Sequence, residues 1–139
     1  MRIFAQAVAV LLLAVFLSDS AQAQSLECRG AQKAQQVAEL IFGRRIGTRI
    51  AVTETQFVLF VGEEITTRFP DGLTVFNATG TWRDKTSNKV MHEPSKIVLI
   101  VLPGNADDLA RLNQIVEAYK RRFQQQSVGV ILRPACVSF

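Results

Sequence analysis

The chain has 139 residues and a formal net charge of +4, from 16 Lys and Arg against 12 Asp and Glu, with 48% hydrophobic residues, two cysteines and a single histidine. That is enough for one small domain and too little for two. The basic residues are scattered, Arg44-Arg45 and Lys120-Arg121-Arg122 being the only clusters, so the footprint of a nucleic-acid-binding surface is missing.

The N-terminus carries an export signal. Arg2 precedes an apolar run from Ala7 to Leu17, followed by Ser18-Asp19-Ser20 and Ala21-Gln22-Ala23. A positive start, a short apolar core and a small-x-small end are the parts of a secretory signal peptide, placing cleavage after Ala23. The run falls short of the roughly 20 apolar residues a spanning helix needs. Cys28 is not a lipidation site, because Glu27 stands before it where a small residue is required. Cleavage removes one base, Arg2, and one acid, Asp19, and leaves the net charge unchanged. The expected location is periplasmic or secreted. Two cysteines near the ends of an exported chain are expected to form a Cys28–Cys136 disulfide.

Residues 24–36 are polar and Gln-rich and read as an N-terminal arm; residues 37–139 read as the domain. Val37–Arg45 is a short apolar run and the first predicted strand, with a turn at Gly47. Thr53-Glu54-Thr55-Gln56 has the spacing of a capping box, with Val52 and Phe57 placed as a hydrophobic staple, so a helix should start at Glu54. Phe57, Val58, Phe60, Val61, Ile65 and Phe69 make its apolar stripe, and Pro70 with Asp71-Gly72 stops it.

Leu73–Arg83 is β-branched and aromatic, hence a strand, with a bulge expected at Gly80. After polar Asp84–Asn88, Glu93–Leu102 holds the run IVLIVL between Pro94 and Pro103 and reads as a buried strand. Asn105 is the expected cap of a second helix, whose stripe is Leu109, Leu112, Ile115, Val116, Tyr119 and Phe123. Asp107-Asp108 and Lys120-Arg121-Arg122 match the two ends of its dipole. Val128–Arg133 is the last strand, stopped by Pro134.

The order β-α-β-β-α-β predicts an α+β, ferredoxin-like sandwich: a four-stranded antiparallel sheet of order 4-1-3-2 with two helices on one face. The start of strand 1 then lies beside the end of strand 4, which brings Cys28 and Cys136 together. Strand 3 is apolar at both alternating sets, Ile97, Leu99, Val101 and Val98, Ile100, Leu102. Two helices cover one sheet face, so the other is expected to present an apolar patch, of a kind that marks an interaction site.

Several segments carry a resemblance. Leu40-Ile41-Phe42-Gly43-Arg44, Arg68-Phe69-Pro70-Asp71-Gly72-Leu73-Thr74-Val75, Gly80-x-Trp82-Arg83-Asp84, Glu93-Pro94-Ser95-Lys96, Ala118-Tyr119-Lys120-Arg121-Arg122-Phe123 and Pro134-Ala135-Cys136-Val137-Ser138-Phe139 are similar to the bacterial family known as domain of unknown function 3574. The resemblance covers about residues 28–139. It implies a small exported or lipid-anchored protein and assigns no activity. The chain departs from the family pattern at Phe57, where Trp is usual, and at Glu64 and Thr67, where an apolar residue and Pro are usual. Glu64 stands four residues before Arg68, a spacing suited to a helical ion pair.

Motifs for chemistry are few. There is no phosphate loop. His92 is the only histidine and the cysteines are expected to be oxidised, which speaks against a metal centre or a Ser-His-Asp triad. Glu63-Glu64 and Asp107-Asp108 are adjacent on helices and diverge. Asn77-Ala78-Thr79 matches a glycosylation sequon. No cofactor is expected, and the balance leans away from an enzyme. The leading expectation is an exported module that binds or self-associates, as a homodimer, through its open sheet face. The alternative is a small-molecule enzyme or ligand-binding protein of the dimeric α/β-barrel kind, with Arg44, Arg68, Trp82, Glu93 and Tyr119 as candidate ligand or interface residues; an inhibitor or envelope adaptor is a third. Intact-mass measurement on protein recovered from outside the cytoplasm is expected to show a chain beginning at Gln24; a mass that retains residues 1–23 would refute the cleavage.

Overall fold

A computed structural model describes residues 26–46, 49–84 and 87–139. The expected signal segment and the expected Gly47 turn lie outside the described residues. The elements are β1 (Lys33–Gly43), β2 (Arg45–Ile46), β3 (Arg49–Ile50), α1 (Glu54–Phe60) continued by a π-helical turn (Val61–Thr66), β4 (Thr74–Arg83), β5 (Val90–Val101), α2 (Asp108–Phe123) and β6 (Gly129–Val137). The four long strands form one antiparallel sheet in the order β4-β5-β1-β6; counting these four alone, the neighbours run second-third-first-fourth. β2 and β3 form a separate two-stranded ribbon, an addition to the expected pattern.

Side chains alternate between the two faces of each strand. On one face Ala38, Leu40 and Phe42 of β1 and Val98 and Ile100 of β5 are buried with Phe57, Phe60 and Ile65 of the first helix and Leu112, Ile115, Tyr119 and Phe123 of α2. Both helices therefore cover the same face. Phe42 is the hub: its ring meets those of Phe57, Phe60 and Tyr119 edge-on, at centroid distances of 5.6, 5.9 and 4.6 Å. Such edge-to-face pairs add to the burial of their area.

Helix α1 starts as its sequence dictates. Thr53 Oγ1 accepts from the Gln56 N–H and the Gln56 side chain accepts from the Thr53 N–H, a complete capping box. The following turn is π-helical rather than α-helical. Phe60 and Ile65 are five residues apart and both fully buried, and a five-residue turn is what lets them share one face. Val58 and Leu109, expected in the apolar stripes, are exposed instead. Glu64 and Arg68 form the ion pair that their spacing suggests, at 2.8 Å.

Several boundaries differ from expectation. The strand expected over Glu93–Leu102 runs Val90–Val101, because the β4–β5 hairpin pairs on to Arg83–Val90, and the first strand ends at Gly43 rather than Arg45. Three more differ for a backbone reason. Residues 33–36, assigned to the arm, belong to β1, because β6 runs on to Val137 and pairs with them. β6 passes through Pro134 rather than stopping there. Its partner Gln36 directs its carbonyl to the Leu102 N–H, away from β6. The Pro134 backbone accordingly turns to the open edge, where a missing N–H costs no ladder bond. Helix α2 begins at Asp108 rather than after Asn105, and the Asp108 carboxylate folds back to accept from the backbone N–H groups of Gly104 and Asn105. The expected bulge at Gly80 is also absent: the β4–β5 register is unbroken from Thr74–Leu99 to Arg83–Val90.

Cys28 and Cys136 form a disulfide with a Cα–Cα distance of 5.4 Å across 108 residues of sequence. It fixes the arm to the last strand beside Ala34, the Cys136 partner in β1. Replacing both cysteines by serine should lower unfolding free energy by about 2–4 kcal/mol, the usual range for a bond closing a long loop. Chemical denaturation of the oxidised chain and of the double variant measures it; equal midpoints would contradict a stabilising role.

Candidate functional site

The face opposite the helices is open. The register places Val37, Glu39, Ile41 and Gly43 of β1, Met91, Glu93, Ser95, Ile97, Leu99 and Val101 of β5, Phe76, Ala78, Gly80 and Trp82 of β4, and Gly129, Ile131 and Arg133 of β6 on it. Phe76, Trp82 and Ile131 are 47%, 49% and 44% exposed. The only ion pair described on this face joins Glu39 to Arg133, at 2.8 Å. The disulfide joins the arm to β6 beside Ala34, at the end of β1 away from Gly43.

At the other end of this face the β4–β5 hairpin projects past the end of β1. An open groove of about 1040 Å³ lies there, bordered by the hairpin, Arg45-Ile46 and the α2–β6 loop Gln124–Ser127. Its floor is low because glycines occupy it. A Cβ on Gly43 would lie 2.5 Å from Glu93 Oε1, one on Gly80 would lie 3.3 Å from Ser95 Oγ, and one on Gly129 would lie 3.2 Å from Ile41 Cβ.

Glu93-Pro94-Ser95-Lys96 can be understood residue by residue. Pro94 has no N–H, so the β1–β5 ladder cannot run past it in the ordinary way. Its carbonyl accepts from the Arg44 N–H, and the Glu93 carboxylate takes the next donor, the Arg45 N–H, at 3.0 Å. Ser95 is small enough to lie under Gly80, and its hydroxyl donates to the Glu93 carbonyl. Lys96 points to the helix side, almost fully buried, and donates to Glu54 Oε1 and Asn77 Oδ1, both at 2.5 Å, with its ammonium 5.7 Å from the Phe57 ring centroid. Asn77, the sequon residue, is thereby committed within β4.

The candidate residues divide. Trp82 and Glu93 both line the groove. Tyr119 lies behind it in the core and donates its hydroxyl to the Gly43 carbonyl at 2.8 Å. Burial, with the Glu93 charge adding to it and Arg44 opposing, pushes its phenol well above the ordinary value, so it stays a neutral donor. Arg44 straps the end of β1 to the start of α1, donating from Nε to the Val52 carbonyl at 2.8 Å and pairing with Glu54 at 3.2 Å. Arg68 stands away from the groove, bound to Glu64 and Gln114, and its carbonyl accepts from Arg111, whose guanidinium lies over Phe69. His92 is exposed and its Nδ1 is 3.2 Å from Thr81 Oγ1. Among the described residues there is no cluster of His, Cys, Asp and Glu suited to a metal ion. Sequence reasoning missed Gly43 and Ser95 as groove residues; their signal was the small residues inside otherwise bulky strands.

The family model described as "Protein of unknown function (DUF3574)" matches residues 37–139, and the chain belongs to that family. No curated protein matches it. Among solved structures it is similar to a phage SAM lyase in complex with S-methyl-5'-thioadenosine (TM-score 0.58, 15% identity, covering 82% of this chain and 95% of that one) and to a phage SAM lyase in the apo state (0.58, 18%, 82% and 92%). It is also similar to CutA from Synechococcus elongatus PCC7942 (0.51, 8%, 76% and 80%). At these identities the likeness is one of fold.

The hydrogen bond from Lys96, with the Lys96 and Arg44 charges adding to it and desolvation opposing, holds the Glu54 carboxyl below its ordinary value. A depressed carboxyl contributes stability above its unfolded pKa, and that contribution disappears as pH falls through the folded value. Glu54→Gln should therefore lower Tm at neutral and alkaline pH and converge with the parent chain as pH falls through the Glu54 titration, flattening the acid limb of a plot of Tm against pH; parallel acid limbs would refute the linkage.

Proposed function

We propose that this is an exported binding module that associates with a second copy of itself through the open sheet face. The observation that carries the reading is the patch itself: Ile41, Phe76, Ile97, Leu99, Val101 and Ile131 form an apolar surface across all four long strands, bordered by the Glu39–Arg133 ion pair. At strand spacings of about 4.8 Å and rises of about 3.3 Å it spans on the order of 400 Å² in projection, the size of the largest apolar patch on a typical monomer, which is often an interaction site. A second copy suits it because the apolar residues are shared by all four strands and the one ion pair described on the face, Glu39–Arg133, carries no net charge, so the surface can be complementary to itself under a two-fold axis. The outer edge of β6 is a poorer docking site, since Pro134 interrupts its row of donors.

Export is supported by the signal-like N-terminus and by the disulfide, a bond of oxidising compartments. No helix among the described residues is long and apolar enough to cross a membrane. The βαββαβ order of the long elements, with both helices on one face, supports a ferredoxin-like sandwich extended by the β2–β3 ribbon. A second reading, small-molecule binding, is favoured by the groove. The similar phage lyase was solved with a small molecule bound, so the fold is compatible with such a site.

Native mass spectrometry of the oxidised chain at micromolar concentration is expected to give a dimer, and the double variant Phe76→Lys, Ile131→Lys a folded monomer. A monomeric parent chain, or a variant that dimerises as the parent does, would overturn the sheet-face reading.

A further inference from the structure

We propose that the groove at the end of the open face binds small organic cations that carry a planar apolar body, with Glu93 taking the charge and Trp82 the apolar part. The inference rests on the reading of the groove as a ligand site and not on sheet-face association.

Glu93 is prepared for this task by its setting. Its carboxylate occupies the space a side chain at position 43 would fill, so Gly43 is what allows it to lie on the groove floor. Oε1 is held by the Arg45 N–H, which orients the group. Oε2 makes no hydrogen bond among the described residues and is left to accept from a ligand. An ionised acceptor fixed by a backbone donor and half withdrawn from water forms stronger hydrogen bonds to a cationic donor than a solvated one does.

Trp82 stands on the same face of β4, two residues from Gly80, which is the register partner of Glu93. It is the only tryptophan in the chain and is half exposed, although a strand residue of this size normally finds cover. Its neighbour across the hairpin is Met91, a second adaptable apolar surface in the groove. An indole face beside a carboxylate accommodates a cation with an aromatic or aliphatic body through stacking and cation–π attraction. Arg45 and Arg83 also line the groove, but Glu93 and Asp84 balance them, so the four groups carry no net charge and selection falls to the carboxylate on the floor.

Because Trp82 is the sole indole, its emission reports directly on the groove. Phenethylamine titrated into the oxidised chain should give a saturable change with a Kd in the range of about 1 mM or tighter. 3-Phenylpropionate, of similar size and opposite charge, should bind at least about tenfold more weakly. Glu93→Gln keeps an acceptor for the Arg45 N–H and should weaken phenethylamine binding about tenfold or more, the loss expected for one charge-assisted contact. Trp82→Leu, followed by calorimetry, should weaken both probes and provides the test should Glu93→Gln fail to fold. If neither probe binds, the groove is not a ligand site. If both bind alike, or Glu93→Gln binds phenethylamine as tightly as the parent chain, the assignment of Glu93 as the cation partner is wrong.

Discussion

Two helices can cover one face of a four-stranded sheet and no more. The helices spend their apolar residues on Phe42 and its neighbours, so the aromatic cluster of Phe42, Phe57, Phe60 and Tyr119 is fully buried. β5 lies at the centre of the sheet and is aliphatic on both sides, which is appropriate only for a strand that is meant to be covered twice. Among the described residues the helices supply one cover, and that imbalance is what the proposed association through the other face rests on.

The end of β1 is the second point on which the molecule turns. A proline in the neighbouring strand breaks the ladder there, and the donors left behind are satisfied by the Pro94 carbonyl and the Glu93 carboxylate. Tyr119 accounts for the Gly43 carbonyl from the core side, while Arg44 ties the same backbone to Val52 and to Glu54. Buried or half-buried backbone groups without partners are costly, so each of these side chains is held in place by the need to satisfy the strand end. A groove floored by glycine and edged by a carboxylate is the by-product of that arrangement, and it gives the open face one polar, concave end.

Much of the architecture could be read from local sequence because local physics decided it. The capping box of Thr53 and Gln56, the apolar run in β5, and the stripe of α2 apart from Leu109 are short-range patterns, and the structure holds them. The departures have long-range causes. The π-helical turn exists because Ile65 must reach a core whose position is set by the sheet. β6 continues through Pro134 because Gln36 directs its carbonyl to the opposite neighbour. Gly80 fits a close approach to Ser95 rather than a bulge, which only the partner strand could decide.

The candidate residues follow the same division. By itself the sequence determined that Trp82, Glu93 and Tyr119 were unusual, and that two cysteines flanked the domain, since residue type and spacing are local properties. Tertiary structure alone decided that Trp82 and Glu93 share a groove while Tyr119 sits behind it and Arg68 stands apart. The reason is register: a shift of one residue in either hairpin strand would carry Glu93 or Trp82 to the helix side, and register is set jointly by strands that are far apart in the chain.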